Sequence, residues 1–346
     1  MRAIPRRNSF GRIAAACIAS LVLYVTAFGL VLDHPLSLGF LRQQIDVKVA
    51  LGAAVGGPKL VVLAGSNGPY SHRCTVIARL LHMPCINGGV AVGIGLDYLF
   101  ARWERVLHPG DIVYLPMEEA QYVRGRVETD VGPDAAIMLR HDWRTLARLA
   151  PDRWAGAIFS TDLRDALMAP IEMALVAGDF HDPREAVTGG TDAWGDHTGH
   201  TAAMAVANAA ELAAAQPYHP DAAKIGAGYG STLIAAFLDW ARAHDVRAIG
   251  GLPTGFADSP PSDASIDAIR VVYLSHGADF LELPNRSLYP RVAFFDTPSH
   301  LNETWQRIHS VAVADGLVAL LRRTVSLREP PLSLRVGHRP AAADPP

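Results

Sequence analysis

Serine, histidine and aspartate, the three side chains of a nucleophilic catalytic site, stand at two turns of this chain. Ser66 follows the apolar run "KLVVLA" over 59–64, while Asp296 and His300 close the apolar run "RVAFFD" near the other end. A serine becomes a nucleophile when a histidine takes its proton and a carboxylate orients that histidine. The three residues therefore indicate acyl-transfer chemistry, provided that the fold brings the two turns together.

Each of these residues also has a structural interpretation that the sequence leaves open. Serine is a favoured first residue of a helix, so Ser66 is also a candidate N-cap. His300 is equally a candidate for a loop histidine bonded to a backbone carbonyl, and Asp296 for the cap of a turn before Pro298.

Backbone and side-chain amides near these turns are candidates for binding the substrate oxygen. The N–H groups of Ser66 and of Gly88 or Gly89 can stabilise a developing oxyanion. Asn67 and Asn87 stand next to these residues and are the candidate side-chain donors.

Two adjacent carboxylates, Glu118 and Glu119, follow the strand candidate "DIVYLP". They can act as an acid–base pair, or one of them can pair with Arg124 or Arg126. We interpret them as structural or substrate-positioning residues.

A metal or nucleotide cofactor is not predicted. The stretch "TDAWGDHTGHT" offers four possible ligands, namely Asp192, Asp196, His197 and His200. They lack the fuller ligand set of a typical metal site, so the stretch is interpreted as a loop beside the cleft. The segments 226–231 and 88–95 do not match the glycine fingerprint of a dinucleotide site.

Apolar runs alternate with helical patterns along the chain and predict the scaffold of this site. The candidate strands are 59–64, 84–89, 111–116, 246–252, 279–284 and 291–296. Such alternation is typical of an α/β fold, a parallel sheet with helices on its faces in three layers. We place this domain at 36–329, with a helical insertion over about 125–225 and a disordered, proline-rich tail over 330–346.

The first 35 residues have a different composition. Four arginines, Arg2, Arg6, Arg7 and Arg12, precede an uncharged stretch over 13–32. This length is enough to span a bilayer, and the arginines predict a cytoplasmic N-terminus with the main domain exported. The alternative is a cleaved signal peptide, with 25–27 as its cleavage site.

Charge and cysteine content narrow the compartment and the partners. A net charge of -3 over 346 residues without a basic stripe argues against nucleic acid. Cys74 and Cys85 lie on the predicted exported side, where they can pair or stay buried and unpaired.

The order of these motifs resembles the SGNH (GDSL-type) hydrolases. The similarity rests on "AGSN", "CINGG", "HPGDIVYLPMEEAQY" and "FFDTPSHLN", and it extends to the membrane-anchored, exported SGNH-like proteins of bacteria (the DltD, AlgJ and AlgX group). It implies that Ser66 is the nucleophile, His300 the base and Asp296 the orienting acid. It also implies an acyl ester substrate, such as an O-acetylated envelope glycan or exopolysaccharide, and partners among envelope or polysaccharide-export proteins.

The chain departs from that family at three motifs. Asp296 and His300 have three residues between them instead of two, and "PMEEAQY" stands where the family has its Gly-x-Asn-Asp block. Glu-Thr-Trp follows "HLN" where a glycine is expected. These departures favour an alternative function, that of a catalytically degenerate domain that binds a glycan or an assembly partner.

Overall fold

The centre of the molecule is a five-stranded parallel sheet. A computed structural model describes residues 9–31, 38–160, 163–180 and 190–328, and the sheet has the strand order β2-β1-β3-β4-β6. A second, two-stranded parallel pair joins β5 to β7. The strands are β1 (Leu60–Val62), β2 (Cys85–Asn87), β3 (Ile112–Leu115), β4 (Arg247–Gly251), β5 (Gly255–Phe256), β6 (Asp279–Leu281) and β7 (Leu288–Tyr289).

Helices precede, connect and follow the strands, and helices and loops fill the stretch between β3 and β4. They are α1 (Ser9–Val31), α2 (Leu38–Ala54), α3 (Asn67–Ser71), α4 (Cys74–Leu81), α5 (Leu96–Trp103), α6 (Glu119–Val123), α7 (Arg126–Asp130), α8 (Pro133–His141), α9 (Trp143–Leu146), α10 (Pro151–Ile158), α11 (Leu163–Ala177), α12 (Ala202–Ala205), α13 (Ala209–Ala214), α14 (Ala222–Ala227), α15 (Tyr229–Ala243), α16 (Asp263–Leu274) and α17 (Glu303–Arg328).

Both faces of the sheet are covered by helices. Leu60 and Val62 of β1 pack on one face with residues of α4 and α17. Val61 and Leu63 pack on the other face with residues of α5, α15 and α16. Strands buried on both faces are continuously apolar, which is why these runs could be recognised in the sequence. The predicted α/β architecture, a parallel sheet between helices, is confirmed.

The segment 291–296 is not the sixth strand that its apolar composition predicts. It begins with a short 3₁₀ helix, Arg291–Ala293, and Phe294 makes only an isolated bridge to Leu301. Phe294 is fully buried in a separate cluster that includes Phe256. The apolar run therefore indicated burial correctly but not the type of secondary structure, since a short run of this kind does not distinguish the two.

Cys74 and Cys85, whose pairing the sequence left open, form a disulfide bond. It joins the start of α4 to the start of β2 across Cα atoms that are 5.1 Å apart. Both residues are fully buried in the core beneath α17. The bond therefore fixes β2, and the Asn-Gly-Gly loop that follows it, relative to α4.

The two ends of the chain extend beyond the described residues. Arg2, Arg6 and Arg7 lie outside them, and so does the predicted tail over 330–346. The predicted membrane-spanning helix over 13–32 is not supported, because no helix within the described ranges is both long and apolar enough to cross a membrane.

Candidate active site

Ser66 stands in the turn after β1, at the carboxyl end of the parallel sheet. The strand order reverses between β1 and β3, and open α/β sheets form their sites at such a point. Ser66 immediately precedes α3, but its side chain makes no capping hydrogen bond. The residue is half-buried and lines a cavity of about 450 Å³. The capping interpretation therefore has no hydrogen bond to support it.

Glycines allow the turn around Ser66 to lie directly against the neighbouring loops. A Cβ atom on Gly89 would lie 2.7 Å from the carbonyl oxygen of Gly65, and one on Gly68 would lie 3.0 Å from the Cα of Gly89. A Cβ atom on Gly65 would overlap Glu118. Larger residues at these positions would push the turn away from the loops after β2 and β3.

His300 and Asp296 form the second half of the candidate site. His300 Nδ1 lies 2.7 Å from Asp296 Oδ1. The chain between them doubles back, because Phe295 N–H donates to the carbonyl of His300 and the His300 N–H donates to that of Thr297. The three-residue spacing that departs from the family pattern is therefore accommodated by a tight bend.

The structure brings Ser66, His300 and Asp296 together around the same cavity. His300 Nε2 is buried and has no hydrogen-bond partner within the described residues, so it is not bonded to Ser66. Catalytic hydrogen bonds are often long before substrate binds. The imidazole is thus oriented at one nitrogen and has the other nitrogen unoccupied.

Tyr70 fixes the orientation of the His300 imidazole ring by stacking on it. Its ring stacks on His300 with centroids 4.1 Å apart and on His197 with centroids 4.2 Å apart. The interplanar angles are 9° and 12°. Burial, together with the nearby charge of Asp296, raises the pKa of Tyr70, so its phenol stays neutral.

The two candidate asparagine donors hold the backbone together in this structure. Asn67 Nδ2 donates to the carbonyl of Pro116 at 2.8 Å. Asn87 Nδ2 donates to the carbonyl of Gly68 at 2.9 Å and to Asp196 Oδ1 at 3.0 Å. Both asparagines are fully buried. These bonds position the Ser66 turn and occupy the amide groups that the sequence suggested for the substrate.

The two candidate glycine donors differ in how strongly they are bonded. Gly88 N–H donates to the carbonyl of Val62 at 2.8 Å, which continues the β1–β2 pairing. Gly89 N–H donates to Asn87 Oδ1 at a longer 3.3 Å. Since long hydrogen bonds are weak, Gly89 can release its N–H to a substrate oxygen more easily than Gly88 can.

Glu118 connects the two halves of the site. Its Oε1 accepts from the backbone N–H of Asn67 at 3.3 Å, and its Oε2 accepts from Ser299 Oγ at 3.2 Å. Asn67 and Ser299 are the direct neighbours of Ser66 and His300 in the chain. The carboxylate therefore ties the nucleophile turn to the histidine turn.

Glu119 belongs to a separate pair outside the Ser66 cavity. Both carboxylate oxygens lie within 3.0 Å of His219 Nδ1, and His219 Nε2 donates to the carbonyl of Ser259 at 2.9 Å. Burial raises the pKa of Glu119, against the opposing effect of His219. The partner is a histidine and not Arg124 or Arg126.

A buried charge network lies beneath the site. Lys48 of α2 lines the cavity, but its Nζ donates to the carbonyls of Gly195 at 2.5 Å and Asn87 at 3.3 Å. Asp196 accepts from the backbone N–H of Cys74 at 2.6 Å. Burial lowers the pKa of Lys48 to about 8 and raises the pKa of Asp196 to about 7.

The histidines of the 191–201 stretch form a wall of the cavity. His197 lines it, and its Nδ1 lies 2.9 Å from His200 Nδ1. Burial lowers the pKa of His200 to about 3, so this imidazole is neutral at physiological pH. Among the described residues, no group of three or more histidines, cysteines, aspartates and glutamates could hold a metal ion.

Sequence reasoning missed Lys48 and Tyr70. Tyr70 was detectable, since it follows Ser66 by four residues and a helix begins between them. Lys48 follows Phe40 and Gln44 at intervals of four, and this helical stripe lines the cavity. No local signal indicates that α2, which ends twelve residues before Ser66, lines the same cavity as Ser66 and His300.

Neither a comparison with models of known protein families nor one with curated proteins finds a match for this chain. A functional assignment therefore depends on the site itself.

Proposed function

We propose that this chain is an exported serine esterase or O-acyltransferase with an SGNH-like site. The observation that carries this proposal is the shared cavity, which is lined both by Ser66 and by a histidine already oriented by a carboxylate. The strand order also supports it, because β2-β1-β3-β4-β6 is the arrangement of the doubly wound, flavodoxin-like sheets (second, first, third, fourth and fifth strand), in which ligands bind at the β1–β3 switch point.

The reaction follows from the roles of these groups. Ser66 Oγ attacks the acyl carbonyl carbon while His300 Nε2 takes its proton, and Asp296 stabilises the imidazolium that forms. The bond from the carbonyl carbon to the leaving oxygen then breaks, and His300 returns the proton to the leaving alcohol. Water releases the acyl group in hydrolysis, or an acceptor hydroxyl takes it in transfer.

The oxyanion is expected to receive only backbone donors. The N–H of Ser66, before the first turn of α3, and the weakly bonded N–H of Gly89 are the two candidates. The family's asparagine is replaced here by Glu118, which offers no amide hydrogens. Because one lost donor costs on the order of 10²–10³ in rate, we expect a slow enzyme.

The compartment and the substrate class are proposed on separate grounds. The buried Cys74–Cys85 disulfide supports an oxidising compartment outside the cytoplasm, with the segment over 13–32 as an anchor or a cleaved leader. The resemblance to exported SGNH-like proteins supports an acyl ester of an envelope glycan or exopolysaccharide, handled together with other envelope proteins.

A second candidate function is glycan or partner binding by a degenerate site. It is favoured by the unoccupied His300 Nε2 and by the carboxylate of Glu118 beside the nucleophile turn. Only the esterase function predicts ester turnover that depends on Ser66.

Hydrolysis of p-nitrophenyl esters by the full chain tests the proposal. We expect slow turnover that Ser66→Ala abolishes and His300→Ala lowers by at least a hundredfold. Turnover that is unchanged in folded Ser66→Ala would overturn it, and complete absence of turnover in the parent would favour the binding function.

A further inference from the structure

The cavity beside Ser66 offers far more room than an acetyl group needs. Its volume is about 450 Å³, and it extends from the Ser66–His300 pair to helix α2. Six apolar residues from three separate segments form its wall: Phe40 and Leu41 of α2, Pro69 and Tyr70 of α3, and Val90 and Ala91 of the loop after β2.

The charged groups of the cavity are engaged elsewhere. The ammonium of Lys48 is bonded to the carbonyls of Gly195 and Asn87, so only its stem can face a ligand. The carboxylate of Asp296 is bonded to His300 Nδ1 and is part of the proposed catalytic group, not of the apolar wall. Three polar side chains also contribute to the lining: Gln44, Thr191 and His197. The six apolar residues form the largest part of it, which is the usual lining of a site for an apolar group.

We propose that this cavity binds the acyl chain of the substrate and that the chain is an aliphatic one longer than acetyl. The inference rests on the proposed function, because it takes Ser66 as the atom that fixes the carbonyl end of the chain. With the carbonyl at Ser66, the chain extends along the wall formed by Leu41, Val90 and Ala91. Each methylene removed from water there is expected to raise kcat/KM about fourfold.

The dependence of kcat/KM on the length of the acyl chain of the ester tests this proposal. We expect kcat/KM of the full chain to increase from p-nitrophenyl acetate to butyrate, which has two more methylenes, by about sixteenfold, and to remain higher for octanoate than for acetate. Ala91 is half-buried at the edge of the core and lines the cavity, so the phenyl ring of Ala91→Phe can occupy the space of the chain. We expect it to lower the octanoate-to-acetate ratio of kcat/KM at least tenfold.

Two further variants make the result specific. Leu41→Ser removes part of the apolar wall without adding bulk and should lower the same ratio. Ala50→Phe places the same phenyl ring on the exposed side of α2, outside the lining, and should leave the ratio as in the parent.

The outcomes separate this inference from the proposed function. Hydrolysis that depends on Ser66 but is fastest with acetate would overturn the chain proposal and leave the esterase intact. A preference for octanoate that Ala91→Phe and Leu41→Ser do not alter would show that the chain binds elsewhere. Absence of hydrolysis that depends on Ser66 for every ester would overturn the proposed function and this inference with it.

Discussion

At the scale of single residues, the site is built around one imidazole that is held on two sides. Asp296 bonds to one nitrogen of His300, and the Tyr70 ring covers one of its faces. Its other nitrogen is buried without a partner among the described residues. An unpaired buried polar atom costs free energy. His300 Nε2 recovers that cost when it accepts the proton of Ser66 during attack on the substrate.

We predict that Tyr70 acts as a positioning residue through its ring and not through its hydroxyl. Tyr70→Phe keeps the stack and should retain kcat within about threefold, while Tyr70→Leu should lower kcat by at least tenfold with a smaller change in KM. Steady-state kinetics with a p-nitrophenyl ester measure both variants. Equal losses in the two folded variants would contradict this role and implicate the hydroxyl.

At the scale of elements, the sequence predicted the sheet well and the cavity poorly. Leu60–Val62 and Ile112–Leu115 are strands because parallel strands buried on both faces are continuously apolar, which is a local signal. The wall provided by α2 could not be predicted, because the cavity depends on how α2 packs relative to residues much later in the chain, such as His197 and His300. The segment 291–296 was wrongly assigned as a strand because burial in a separate cluster produces the same apolar run.

The disulfide is an element-scale link, and its loss should destabilise the fold. It joins residues 11 positions apart, at the starts of α4 and β2, and we expect it to contribute about 2–4 kcal/mol to the free energy of unfolding. Urea unfolding of a Cys74→Ala/Cys85→Ala variant measures this loss.

Cys17→Ala is the matched control for this prediction, because Cys17 is an exposed free cysteine on α1. It should unfold as the parent does. A double variant as stable as the parent would contradict a structural role for the bond.

At the scale of the whole molecule, the interior contains several histidines that fold in the neutral form. Burial lowers the pKa of His72 to about 4 and that of His200 to about 3, and it lowers the pKa of His309 well below its usual value. An unfolded histidine titrates near its ordinary pKa of about 6.5. Below that pH the unfolded chain therefore binds more protons than the folded chain, so acid destabilises the fold.

We predict that His72 accounts for up to one of the protons that the chain takes up on unfolding in acid. Its folded pKa lies below its unfolded pKa, so its effect is absent above about pH 6.5 and grows as the pH falls toward 4. The free energy of unfolding should decrease by about 1.4 kcal/mol per pH unit from this residue alone. Urea titrations between pH 4.5 and 7 should show a shallower slope for His72→Gln.

Asp196 acts in the opposite direction over the same range, because burial raises its pKa to about 7. Because Asp196 is present in both proteins, its contribution cancels when the slope of His72→Gln is subtracted from that of the parent. An unchanged slope in His72→Gln would contradict the assignment of a neutral, buried imidazole at this position.

Fluorophosphonate labelling of the full chain tests the central claim most directly, because the reagent reacts with an activated serine and needs no knowledge of the substrate. We expect the parent to be labelled at Ser66, the Ser66→Ala variant to remain unlabelled, and His300→Ala to be labelled at least a hundredfold more slowly. A folded parent that resists the reagent, or label retained in Ser66→Ala, would contradict a catalytic serine at the end of β1.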